Sequence, residues 1–193
     1  MYEYIIGEIT ELTPAYVTIE TGNIGYFINI SVNTYSELSE KTKCKLFLHQ
    51  VVRDDAHLLF GFINTRERYV FRSLITVSGI GANTARMMLS SLTPDEIRQA
   101  IVENNVILLK SIKGIGAKTA QRVIIDLRDK LGIMEETSEI FVSKNNTIKE
   151  EALSALVMLG FTKRDVEKVL DKILNTNRDF TVEELVKASL KNL

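Results

Sequence analysis

Tryptophan is missing from these 193 residues, cysteine occurs once, and proline and histidine occur twice each. The single cysteine, Cys44, excludes an intramolecular disulfide framework and fits a reducing compartment. Two histidines, His49 and His57, together with that one thiol supply too few ligands for a convincing zinc site. No apolar run of about 18 residues is present, so a membrane-spanning helix is not expected. The opening "MYEYIIGEI" lacks the basic start of a signal peptide, and the expected location is cytoplasmic. What is there is ordinary for a soluble globular chain, with 45% hydrophobic and 25% charged residues. No metal or other cofactor is expected.

Excess charge is also missing, since the net value is −1. Taken whole, that argues against a polyanion as partner. Divided along the chain, the balance changes. Residues 1–63 hold 4 Lys/Arg against 8 Asp/Glu, residues 64–132 hold 11 against 6, and residues 133–193 hold 9 against 11. The middle third is therefore the segment to which nucleic acid would bind.

The first third alternates with period two. Tyr26, Ile28, Ile30 and Val32 fall on one face, and Phe27, Asn29 and Ser31 on the other. Strands are expected at 2–9, 15–20, 25–32, 45–52 and 57–63, separated by Pro14, "TGN" and "RDDA". Five short strands suggest an OB-type barrel over 1–63, with an open meander sheet as the alternative. From Thr65 the period becomes helical, and "LTPDEIRQAI" carries a capping box of Thr93, Pro94 and Glu96. Helical patterning runs to about Leu131. Residues 133–147 turn polar and aperiodic, which reads as a linker. Three short helices are expected after it, at 148–159, 163–175 and 182–192. Gly160 ends the first, and Thr162 and Thr181 cap the next two. A small bundle on a tether suits partner docking better than catalysis.

An internal repeat carries the chemistry. "LITVSGIGANTARMML" (74–89) aligns with "LKSIKGIGAKTAQRVI" (109–124) at an offset of 35, with seven of sixteen positions identical. Each copy reads as helix, Gly-Ile-Gly turn, helix. The glycine pairs Gly79 with Gly81 and Gly114 with Gly116 permit a tight turn and close approach of the backbone to a ligand. The helix that follows presents unpaired N–H groups and the positive end of its dipole, which suits a phosphate. Thr84 and Thr119 add hydroxyls, Arg86 adds a cation to the first copy, and Lys113, Lys118 and Arg122 add three to the second. Asn83 stands where the second copy has Lys118, so the second hairpin is expected to supply more of the salt-dependent affinity. Contacts of this kind reach phosphates and not bases, so binding would be independent of sequence.

Enzyme readings are weaker. "GIGAKT" lacks the glycine directly before Lys-Thr and the spacing that a P-loop requires. Asp126, the one acidic residue near the hairpins that could serve a glycosylase, lies in an ordinary helical pattern. Asp54 and Asp55 could ligate Mg²⁺ in a nuclease, but no carboxylate cluster accompanies them. Two alternatives stay open beside a non-catalytic DNA-binding scaffold. One is a general double-hairpin DNA-binding subunit of a repair or nuclease complex; the other is a carboxylate-based nuclease.

With these features in order, the chain resembles the RuvA family over essentially its whole length. The matching stretches are "VVRDDAHLLFGF" at 51–62, "SGIGANTA" at 78–85, "KGIGAKTA" at 113–120 and "EALSALVMLGF" at 151–161. The resemblance implies binding of four-way (Holliday) junctions in recombination, DNA repair and the SOS response. It implies an OB barrel, a tandem helix-hairpin-helix domain at 64–132 and a small three-helix, UBA-like domain at 148–193. A homotetramer follows from it, with an octamer on DNA as the alternative, and so does docking of RuvB, a hexameric ATPase; a junction resolvase is a further candidate partner. Asp54 and Asp55 match the family's acidic pin, and Leu156, Leu159 and Phe161 would be apolar contacts to the motor. The chain itself would be non-catalytic. The first hairpin departs from the family in "ANTA", where a Pro and a Lys are frequent, and the short linker limits the reach of the third domain.

Overall fold

The computed structural model describes residues 2–132, 144–176 and 180–193. The chain divides into two compact units, Met1–Met134 and Glu135–Leu193.

In the first unit, strands β1 (Tyr4–Leu12), β2 (Tyr16–Thr21), β3 (Ile24–Ile30), β4 (Lys43–Val52) and β5 (His57–Phe62) close a barrel in the order β1-β2-β3-β5-β4. The β3–β5 pairing is parallel and the other pairings are antiparallel. Alternation decides which side chains fill it: Val17, Ile19, Ile28, Ile30, Leu46 and Leu48 are buried, while their neighbours Thr18, Phe27 and Lys45 face outward. Gly61 is fixed by packing, because a Cβ there would lie 2.6 Å from Ile28 Cγ2 and 2.9 Å from Leu46 Cδ1. Between β3 and β4 runs a short helix, α1 (Val32–Leu38), which the sequence reading did not anticipate.

Five helices follow: α2 (Thr65–Leu74), α3 (Ala82–Ser91), α4 (Pro94–Val102), α5 (Val106–Ser111) and α6 (Ala117–Gly132). They do not form a separate core. Phe71 of α2 packs on Phe60 and Phe62 of β5, with ring centroids 5.2 and 4.8 Å apart, and one cluster continues through Ile80, Ile97, Leu109, Ile115 and Val123. A buried carboxylate joins the same parts. Glu67 of α2 accepts hydrogen bonds from Ser31 Oγ at 2.5 Å, Thr34 Oγ1 at 2.7 Å and the Ile63 N–H at 3.2 Å. Three donors compensate a charge that burial would otherwise disfavour. Beside it, Arg68 donates to the carbonyls of Glu3 and Leu48 and pairs with the Glu3 carboxylate.

The second unit holds α7 (Lys144–Met158), α8 (Lys163–Thr176) and α9 (Val182–Leu190) around Ala152, Leu156, Val166, Leu170 and Leu185. Most of the expected linker, residues 133–143, lies outside the described residues, and α7 begins within the remainder. Thr181 caps α9, with its hydroxyl accepting from the Glu184 N–H while the Glu184 carboxylate accepts from the Thr181 N–H at 2.9 Å. At the end of α7, the Phe161 N–H donates to the Leu156 carbonyl at 3.2 Å and the Gly160 N–H to Val157 at 3.0 Å. With Gly160 at φ +103°, this is a Schellman closure. It corrects one expected surface contact: Leu156 is fully buried in the bundle core, whereas Phe161 is half-buried against that core.

Candidate nucleic-acid interface

The two Gly-Ile-Gly segments fold as the same backbone object. In the first, the Val77 N–H donates to the Leu74 carbonyl, the Ile80 N–H to Val77 at 3.0 Å, and the Ala85 N–H to Gly81 at 2.9 Å. In the second, 35 residues on, Ile112 donates to Leu109, Ile115 to Ile112 at 3.1 Å, and Ala120 to Gly116 at 2.9 Å. Gly79 and Gly114 occupy the third position of their turns at φ +94° and +90°, a conformation that costs a side-chain-bearing residue. Ile80 and Ile115 are buried beneath the turns and anchor them to the core.

Gly81 and Gly116 have a different reason to be glycine. Neither lies in the left-handed region, and a Cβ on either would meet nothing within 4 Å. No packing among the described residues demands them. They precede α3 and α6, where a side chain would cap the helix or cover its first turn. Helices α1, α2, α4, α5 and α9 are each capped by a side chain, from Ser31, Asn64, Thr93, Asn105 and Thr181. Helix α3 has no side-chain cap, and Gly116 has no side chain to offer α6. Two helix N-termini are thus left open for an acceptor from outside the chain.

Around these turns Lys113 and Lys118 are exposed, and among the described residues neither forms an ion pair. Thr84 and Thr119 are half-buried at the third position of their helices. Arg122 donates to the carbonyl of Ser78 at 3.3 Å, which joins α6 to the first turn and sets the two hairpins side by side. Arg86 is arranged otherwise: its guanidinium turns to the barrel and donates to Ala15 O at 2.8 Å and Asn29 Oδ1 at 3.2 Å. Burial pushes its pKa down from the usual arginine value. Sequence spacing placed Arg86 among the phosphate-binding cations and missed Asn29, because no local pattern reveals which strand comes alongside α3.

Asp54 and Asp55 form the tip of the β4–β5 hairpin, closed by the Arg53 N–H donating to Ala56 O at 2.8 Å. Both are exposed, and among the described residues neither carboxylate is hydrogen-bonded or ion-paired. No three His, Cys, Asp or Glu side chains converge as metal ligands among the described residues. His49 leans on Phe71 with ring centroids 5.4 Å apart, and burial, then Arg72 and Arg68, holds its pKa below the usual histidine value. In the second unit Leu159 is exposed beside Val157 and Met158, the last 86% accessible. No described helix is long and apolar enough to cross a membrane.

Comparison with known families agrees along the chain. Residues 1–61 match the family model described as RuvA N terminal domain, 71–129 the SAM-like helix-hairpin-helix tandem, and 147–193 the RuvA C-terminal domain. A protein of Christiangramia forsetii is 49% identical over 193 residues, covering 100% of both chains. Proteins of Flavobacterium psychrophilum and Bacteroides fragilis are 47% and 46% identical, again over 100% of both chains. All three relatives are named Holliday junction branch migration complex subunit RuvA.

Proposed function

The chain belongs to the RuvA family, and from that premise we propose that it binds four-way (Holliday) DNA junctions by structure and not by sequence, serving branch migration as a non-catalytic subunit. The observation that carries the reading is the duplicated turn. Two uncapped helix N-termini, each preceded by a glycine with open space beside it, lie side by side in the segment that holds 11 cations against 6 anions. Each can seat a backbone phosphate on main-chain N–H groups, with Lys113 and Lys118 adding charge. The exposed Asp54–Asp55 tip belongs to the same compact unit and opposes phosphates that would crowd together.

A junction has four equivalent arms, so a homotetramer meets it most simply, one pair of hairpins to each arm. The exposed Val157, Met158 and Leu159 are the apolar surface offered to RuvB, the ATPase that would drive migration. The test is a titration against a four-way junction and a linear duplex of the same sequence, with and without Mg²⁺, alongside native mass. Tight junction binding by a tetramer with no cutting supports the proposal. Equal affinity for duplex would favour a general DNA-binding subunit, and Mg²⁺-dependent cleavage lost in Asp54→Asn would favour a nuclease.

A further inference from the structure

A chain of side-chain contacts runs from the first hairpin to the strand that carries the acidic tip. Arg86 lies on α3, directly behind the first Gly-Ile-Gly turn, and its Nη1 donates to Ala15 O and to Asn29 Oδ1. Asn29, on the outer side of β3, donates its own Nδ2 to the carbonyl of Leu59 on β5 at 3.1 Å. One orientation of the Asn29 amide serves both: the oxygen must face the guanidinium, and the nitrogen then faces Leu59. From Leu59 the β4–β5 ladder continues through Val51–Leu58 and Val52–His57 to Asp54 and Asp55. Three more hydrogen bonds hold the far end of α3. Asn33 of α1 donates to the carbonyls of Leu89 at 2.7 Å and Leu92 at 3.1 Å, and the Val32 N–H donates to Ser90 Oγ at 3.1 Å.

Helix α6, which carries the second hairpin, has no such tie: among the described residues no hydrogen bond joins it to the barrel. The two hairpins therefore differ in kind. The first has few free cations and is fastened to the barrel; the second has exposed Lys113 and Lys118 and is fastened to the first.

We propose that Arg86 and Asn29 are positioning residues, which hold the first phosphate-binding turn at a fixed distance and angle from Asp54 and Asp55, and that this spacing sets the preference for junctions over duplex. The inference rests on the proposed junction-binding function. A duplex needs only phosphate contacts. A junction must place its arm on the hairpins and its crossover at the acidic tip at once, so looseness between the two penalises the junction alone. The planar guanidinium suits the task, since it meets Ala15 and Asn29 in one fixed geometry that a lysine ammonium does not reproduce.

The experiment compares full-length wild type with Arg86→Lys, Arg86→Ala, Asn29→Asp and Lys118→Ala. Dissociation constants for junction and duplex are measured across a salt series, and thermal unfolding is followed in parallel. Asn29→Asp keeps the acceptor for Arg86 and loses the donor to Leu59, so it breaks only the strand half of the link. For Arg86→Lys and Asn29→Asp, the junction-over-duplex ratio is expected to fall about tenfold, a change of ~1.4 kcal/mol. The slope of log affinity on log salt should stay at the wild-type value in all three network variants, whereas Lys118→Ala should lower it by about 1. The ratio is insensitive to any loss of folded protein, since the same preparation binds both ligands. A slope lowered by about 1 in Arg86→Ala, with the ratio kept, would make Arg86 a phosphate contact and overturn the inference. An unchanged ratio in both Arg86→Lys and Asn29→Asp would also overturn it. If Lys118→Ala itself leaves the slope unmoved, the phosphate-clamp reading fails, and the two failures are thereby told apart.

Discussion

Gly114 turns the chain at φ +90°, whereas Gly116, two residues on, has ordinary backbone and empty space where a side chain would start. The fold demands the first, whereas in the proposed function the second serves a ligand, and substitution separates the two demands. Gly114→Ala should cost about 1–2 kcal/mol of stability, because an L-residue is forced into the left-handed region. Gly116→Ser should leave the melting temperature equal or slightly higher, since serine is a good helix cap, yet its hydroxyl would occupy the first-turn N–H groups that seat phosphate in the proposed function. Thermal unfolding and DNA titration of both variants check this: lost stability in the first, lost affinity with retained stability in the second. The repeat at an offset of 35 is legible in the sequence as Gly-Ile-Gly. The division of labour within each pair is not, because it depends on backbone dihedrals and on what surrounds each glycine.

At the level of elements, periodicity carried most of the reading and failed where an element was too short or ended early. Alternation located the five strands of the barrel, whose residues face a core on one side only. Helix α1 is not legible because Val32–Leu38 spans barely two turns and presents little amphipathic signal; its clearest mark, Ser31 as a cap, also fits the alternation of the preceding strand. Leu156 and Leu159 stand three apart, a spacing that in a continuing helix would share one face. The helix instead ends at Met158 and reverses at Gly160, so Leu156 is buried and Leu159 is 61% exposed. Leu156→Ala should therefore destabilise the three-helix unit by about 2–5 kcal/mol. Leu159→Ala should leave its unfolding unchanged and weaken capture by RuvB. Calorimetry of the two variants, with a RuvB binding assay, checks both outcomes. Equal destabilisation by the two would contradict the assigned roles.

For the molecule as a whole, the near-zero net charge is a sum of segregated parts, and the segregation is what matters for a polyanion. The composition of each third is plain in the sequence. That the barrel and the hairpins share one core through Phe60, Phe62 and Phe71 is not, since such contacts join residues far apart in the chain. This shared core makes the acidic tip and the basic turns parts of one compact unit, so attraction and repulsion can act on a single DNA molecule in fixed geometry. In the proposed tetramer, four tips gather eight carboxylates at the crossover. A phosphate and a carboxylate about 4 Å apart repel by ~1 kcal/mol in water and ~4 kcal/mol at an effective dielectric of 20. That is enough to keep strands apart at the centre while the hairpins hold the arms further out. The most direct measurement is the ratio of junction to duplex affinity in the wild type and in the double variant Asp54→Asn, Asp55→Asn at one fixed salt concentration. Duplex binding should tighten and the ratio should fall on loss of the two charges; a ratio equal to that of the wild type would reduce Asp54 and Asp55 to an ordinary turn and contradict the account.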